Sequence, residues 1–124
     1  MGLVNCRFQD LNPCQISDVL RGVVIVRLAV SVDGLPYVVP MHFQMEMDAS
    51  GTTFHMMSLD SGMKMKGLTN GAGVCLEFEQ ETCSWMDTVV AAGHVAAADQ
   101  VPGCAVHLQI HADTMTGRRY FRHE

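Results

Sequence analysis

Val23-Val24-Ile25-Val26-Arg27-Leu28-Ala29-Val30-Ser31-Val32, then Asp33-Gly34, then Leu35-Pro36-Tyr37-Val38-Val39-Pro40-Met41-His42-Phe43-Gln44-Met45 is the stretch that decides the architecture. Its first run is dominated by β-branched residues, which suit a pleated, half-buried strand and lose χ1 freedom in a helix. Asp-Gly is a preferred centre for a two-residue hairpin turn, so the second run is predicted to fold back antiparallel on the first. Each proline in that second run lacks the N–H that a central ladder uses. Pro36 should therefore open the strand, and Pro40 should mark a bulge or a sheet edge.

Working outward, Asn12-Pro13 before Ile16, Val19 and Leu20, with Gly22 at the far end, predicts a short helix with Asn12 as its cap. Downstream, Asp48-Ala49-Ser50-Gly51 predicts a turn and Thr52–Met57 a third strand. Ser58–Gly62 is a polar loop, and Ser61 is a candidate cap for a second helix over Met63–Leu68. Gly73–Glu79, Trp85–Ala98 and Cys104–Ala112 complete a set of six strands. The expected fold is mainly β with minor α, a six-stranded antiparallel barrel carrying one or two short helices. The basic end, 113–124, is expected to be a mobile tail.

At 124 residues and 48% hydrophobic, the chain 1–124 fits one domain with a small core, so a sizeable cavity is most easily built against a second copy. A formal charge of −5 opposes general attraction to nucleic acid or anionic membrane. No apolar run reaches the roughly 20 residues of a membrane-spanning helix, and Met1–Asp10 lacks the pattern of a signal peptide. A cytoplasmic protein without nucleic-acid or membrane partners is expected. Five cysteines form an odd set without a Cys-x-x-Cys pair, which suits free thiols.

The stretch most suggestive of chemistry is Phe54–Lys64. A strand ends there with a histidine and a hydroxyl, a loop brings Ser61 and Gly62, and a predicted helix start carries Lys64. These are the parts of an anion site, although the spacing is not that of a Walker loop. His107 and His111 share the i, i+4 spacing of helical metal ligands, but their segment alternates as a strand, which sets them roughly 13 Å apart. No metal site is expected. Glu77, Glu79 and Glu81 alternate as a solvated face, and no serine or cysteine has a defensible His-Asp relay, so no catalytic residue is assigned. Ten methionines are read as adaptable core filler and as lining for a flat ligand.

Taken together, Leu35–Phe43, Phe54-His55, Gly62-Met63-Lys64, Val74–Glu79 and Trp85–Val89 with Gly93 resemble the FMN-binding split barrels related to pyridoxamine 5'-phosphate oxidase. Within that group the chain is most similar to the Nim-type (5-nitroimidazole resistance) flavoproteins. The likeness spans about Ile16 to Ala98, with an echo at Met115–Arg118. It implies a homodimer with FMN at the subunit interface. By similarity, Val39, Pro40, Met41 and His42 would run beside the flavin ring. His55, Met57 and Ser58 would border the ribityl chain and phosphate, Lys64 would be the phosphate cation, and Trp85 and Val89 would form part of the wall, including across the dimer. Arg27 is either a second cation or a solvent-facing strand residue.

The resemblance further implies transfer from reduced FMN to a small electron-poor, nitro-type substrate, with NAD(P)H as a donor. A non-catalytic flavin- or haem-binding carrier or sensor is the alternative. Two features depart from the pattern. The segment from His55 to Gly62 is longer than the family form, and only Asp99–Gly103 separates the fifth and sixth strands where relatives insert helices.

Overall fold

The computed structural model describes residues 7–122. Cys6 and the last two tail residues, 123 and 124, lie outside the described residues, as does most of the segment read for a leader. The chain begins with a three-residue strand β1 (Phe8–Asp10) and then the helix α1 (Pro13–Gly22). The start of α1 is doubly satisfied: Asn12 Oδ1 accepts from the Gln15 N–H, and Gln15 Oε1 accepts from the Asn12 N–H, both at 2.9 Å. Its buried face is Ile16, Val19 and Leu20.

Strands β2 (Ile25–Val32) and β3 (Leu35–His42) form the expected hairpin, and Asp33 and Gly34 both take positive φ, 51° and 80°. That backbone matches the twist of the flanking strands. β4 (Gln44–Asp48) and β5 (Gly51–Leu59) form a second hairpin, followed by a 3-10 turn (Met63–Lys66) and strands β6 (Gly73–Glu81), β7 (Trp85–Val101) and β8 (Ala105–Phe121). The strand order is β3-β2-β6-β7-β8-β5-β4, with β1 added along β8.

β3 and β4 are consecutive in the chain yet stand at opposite ends of that path, joined through Phe43 alone. The sheet must therefore curl until its two ends meet, which makes a split barrel. Phe43 turns its ring into the closure. It packs edge-on against Phe54 and Phe78, with centroids 5.9 and 5.3 Å away. Around these rings Leu28, Leu76, Val89, Leu108 and Ile110 are essentially buried.

Several expectations are corrected. The described residues form eight strands rather than six. The predicted 35–45 strand divides at Phe43, because its halves pair with different neighbours, and β1 is too short to show a period. For Pro40 the edge, one of the two expected alternatives, is what is observed: β3 ends the path, where a missing N–H is tolerated, and the register runs straight through Arg27↔Pro40 without a bulge. The second predicted helix is only the 3-10 turn, and it starts from Gly62 at φ 113° without a side-chain cap, so Ser61 does not fill that role. Residues 113–121, expected in a mobile tail, continue β8 and pair with both β7 and β1. The Asp99–Gly103 connection is mostly strand, with β7 running to Val101 before a tight turn.

Candidate functional site

Alternation along β5 decides which side chains face the core and which face out. Thr52, Phe54, Met56 and Ser58 point into the barrel, whereas His55 and Met57 point out. Register places Gln44 opposite His55, and His107 of β8 opposite Met57. His107 is thus a diagonal neighbour of His55 on one face, within reach for a long side chain. The rings stack with centroids 5.2 Å apart, and His55 Nδ1 lies 3.0 Å from His107 Nε2. On its other side His55 Nε2 lies 3.4 Å from Glu46 Oε1.

These residues border a cleft of about 460 Å³ where β3 gives way to β4, lined by His42, Phe43, Gln44, His55, Met56, Met57 and His107. The break at Phe43 opens it, because the chain leaves one edge of the sheet before joining the other. Met57 is 58% exposed despite being apolar, so an uncovered hydrophobic side chain stands at the rim. A larger cleft of about 630 Å³ lies between the start of α1 and β7–β8, around Leu11, Thr88, Thr116 and Arg118, and contains none of the residues that the sequence assigns to a ligand.

Of the residues singled out in the sequence, the cleft gathers His42, His55 and Met57. Pro40 is exposed on the outer face of β3, while Val39 is half-buried and Met41 buried toward the core. Ser58 is 5% exposed, and its hydroxyl donates to the Leu59 carbonyl at 3.0 Å. The two-residue period of β5 puts it on the opposite face from His55 and Met57. Lys64 is half-buried on the 3-10 turn and has no carboxylate partner among the described residues. Val89 is fully buried in the core. Trp85 sits beneath the Arg119 guanidinium, 4.2 Å from ring centroid to carbon, near the end of β8.

Arg27 is already committed, bonding Glu79 at 2.7 Å and Glu77 at 3.0 Å. The hydrogen bonds to Glu79 and Glu77 raise its pKa above the ordinary arginine value. Glu46, Gln44, Phe43 and His107 escaped the sequence reading as site residues. For His107 the outward phase was visible in the alternation of Val106, Leu108 and Ile110, but its partner strand was not. Among the described residues, no three His, Cys, Asp or Glu side chains are grouped to hold a metal ion. Cys14, Cys75, Cys83 and Cys104 are free thiols, and no described helix is long and apolar enough to cross a membrane.

No protein-family model matches the chain, and a search of curated proteins finds no match. Solved structures match over nearly its full length. The FAD binding protein from Mycobacterium smegmatis superposes with a TM-score of 0.75 at 17% identity, covering 91% of this chain and 98% of its own. A candidate 5-nitroimidazole antibiotic resistance protein from Bacteroides thetaiotaomicron gives 0.76 at 19% identity, covering 94% and 90%. A candidate pyridoxamine 5'-phosphate oxidase from Corynebacterium glutamicum gives 0.71 at 15%, covering 93% and 99%. The chain has the split-barrel fold that these proteins share.

Proposed function

We propose that the chain binds FMN in the cleft at the β3–β4 break and that two copies enclose it, as a cytoplasmic homodimer. The observation that carries this reading is the convergence of His42, His55 and Met57 on one cleft. His42 ends β3 at one end of the strand path, whereas His55 and Met57 lie on β5 beside the other end, and the flavoprotein resemblance assigns all three to the ligand. The donor set suits the ligand. A volume of about 460 Å³ falls within the range of small-molecule sites, and imidazole nitrogens, thioether and phenyl surfaces combine polar anchors with flat apolar walls.

The remaining assignments follow as part of the proposal. The outer edge of β3 at Val39, Pro40, Met41 and His42 lies along the ring, since an edge strand keeps half its backbone donors and acceptors free for a ligand. Lys64 holds the phosphate, and its lack of a carboxylate partner among the described residues supports that role. Ser58 contributes only by giving up its bond to Leu59, and Trp85 only from the second copy; Val89, fully buried in the core of each copy, is not part of the wall. Arg27 is excluded as a phosphate cation by its two glutamates.

Bound FMN would supply hydride or single-electron transfer. The protein's part is to orient the ring, shield it and leave room for a small electron-poor substrate of the nitro class, with NAD(P)H as the donor that reloads it. The tight β7–β8 turn leaves that side open rather than roofed by inserted helices. This same openness favours a second reading, a carrier or sensor of flavin or haem without turnover.

An absorption spectrum of the purified protein titrated with FMN tests binding. About one FMN per chain with flavin bands is expected, and FAD and haem serve as competitors because one structural neighbour is described as FAD binding. A protein that takes up none of them refutes the proposal. Anaerobic stopped-flow then separates enzyme from carrier: reduction by NAD(P)H and reoxidation by a nitroaromatic support the oxidoreductase, and bound flavin inert to every donor supports the carrier.

A further inference from the structure

The two imidazoles of the cleft constrain each other. Glu46, whose ionised carboxylate can only accept, faces His55 Nε2 at 3.4 Å, so that nitrogen is the one that carries the hydrogen in a neutral His55 ring. His55 Nδ1 then holds a lone pair. The nitrogen facing it at 3.0 Å, His107 Nε2, must donate. One direction of hydrogen bonding therefore runs His107 to His55 to Glu46, joining β8, β5 and β4 across the mouth of the cleft.

We propose that His107 is a positioning residue for His55: its Nε2–H fixes the His55 ring and tautomer as a wall of the cleft, and so ties ligand affinity there to pH. This rests on reading the cleft as the ligand site. Nothing in the flavoprotein resemblance assigned His107. The bond needs a lone pair on His55 Nδ1, so adding a hydrogen to that nitrogen in acid removes it. The charged or titratable groups around the pair are Glu46 on β4, Asp99 opposite His107 on β7, His42 at the end of β3, and His111 farther along the same face of β8. Glu46 and Asp99 are exposed, so the solvent-facing carboxylates do not hold the pair together without the bond between the rings.

Two measurements on the full chain test this. In nitrogen-15 NMR near pH 8, wild type should show a His107 Nε2–H with a through-hydrogen-bond coupling to His55 Nδ1, and the coupling should vanish near pH 5. Riboflavin is the binding probe because it is uncharged over that range, so changes in affinity report the wall rather than attraction to a phosphate. Near pH 8, His107→Phe should weaken riboflavin about tenfold, the loss of roughly one hydrogen bond's ordering. His107→Gln, which keeps an N–H donor, should recover to within about threefold. Wild type should fall toward the His107→Phe level as the pH is lowered, while His107→Phe should respond little.

Absent coupling at every pH, or equal riboflavin affinity and pH response in wild type and His107→Phe, overturns the positioning role. If no variant binds riboflavin or FMN, the flavin reading fails separately, and the NMR coupling alone decides the His107 assignment.

Discussion

Asp87 is only 4% exposed, yet it is held by two bonds from Arg119, Nε to Oδ1 at 2.8 Å and Nη2 to Oδ2 at 2.9 Å. Hydrogen bonding to Asp87 raises the arginine's pKa above its ordinary value, so the guanidinium stays charged. Removing one partner leaves the other charge poorly solvated, and Asp87→Ala should lower stability in urea by about 3 kcal/mol. Lys64 makes the opposite prediction: little change in stability, but a loss of FMN affinity of about tenfold or more in Lys64→Ala, with riboflavin nearly unchanged. Equal losses for both ligands would remove Lys64 from the phosphate. At the β4–β5 turn, the Ser50 hydroxyl and backbone N–H both bond Asp48 and hold its pKa below the usual carboxylate value. A folded pKa below the unfolded one gives stability that is present above the unfolded value and lost as pH falls through the folded one. The turn should therefore lose amide protection in acid, measured against the intrinsic exchange rate at each pH, and Ser50→Ala should move that loosening to higher pH. At this scale the sequence showed which residues could do chemistry but not which were already engaged. Arg27 is neutralised by glutamates about 50 positions away, and the hydroxyl of Ser58 is spent on its neighbour, facts that only pairing and strand phase reveal.

Among the elements, those with local signals were readable. The Asn12 cap, the Asp33-Gly34 turn and the outward phase of β8 each lie within a few residues of what determines them. The division of β3 from β4 is not local. Pro40 advertised an irregularity, but the break falls at Phe43, where a ring packs on Phe54 and Phe78 from other parts of the sheet. Phe43→Ala should lower stability by about 2 kcal/mol, less than for a fully buried ring, and loosen the cleft with it. A urea midpoint that falls while FMN affinity is unchanged would separate closure from the site. Gly93 is the other constrained position. An added Cβ would stand 2.1 Å from the His111 carbonyl oxygen, beside the β7–β8 irregularity. Backbone must move to admit it, so Gly93→Ala should depress the melting temperature by several degrees, consistent with a cost of about 1–3 kcal/mol.

For the whole molecule, the split barrel explains why the cleft is shallow in a single chain. A curled sheet of this size fills its interior with side chains, and His42, His55 and Met57 stand outside that core. If two copies enclose the cleft as proposed, sedimentation of the FMN-loaded protein should give a dimer. Fold class was legible because the hydrophobic phase of β2, β5, β6 and β8 repeats every two residues along each strand. The site was legible only in part, because the sequence shows which way a side chain points but not which strand lies beside it. The most direct test is a crystal structure of the protein grown with excess FMN. The account predicts the flavin ring against His42 and His55 in a seam between two copies, with its phosphate toward Lys64. Density for the ring elsewhere, or the cleft closed by its own side chains while FMN is present, would contradict it.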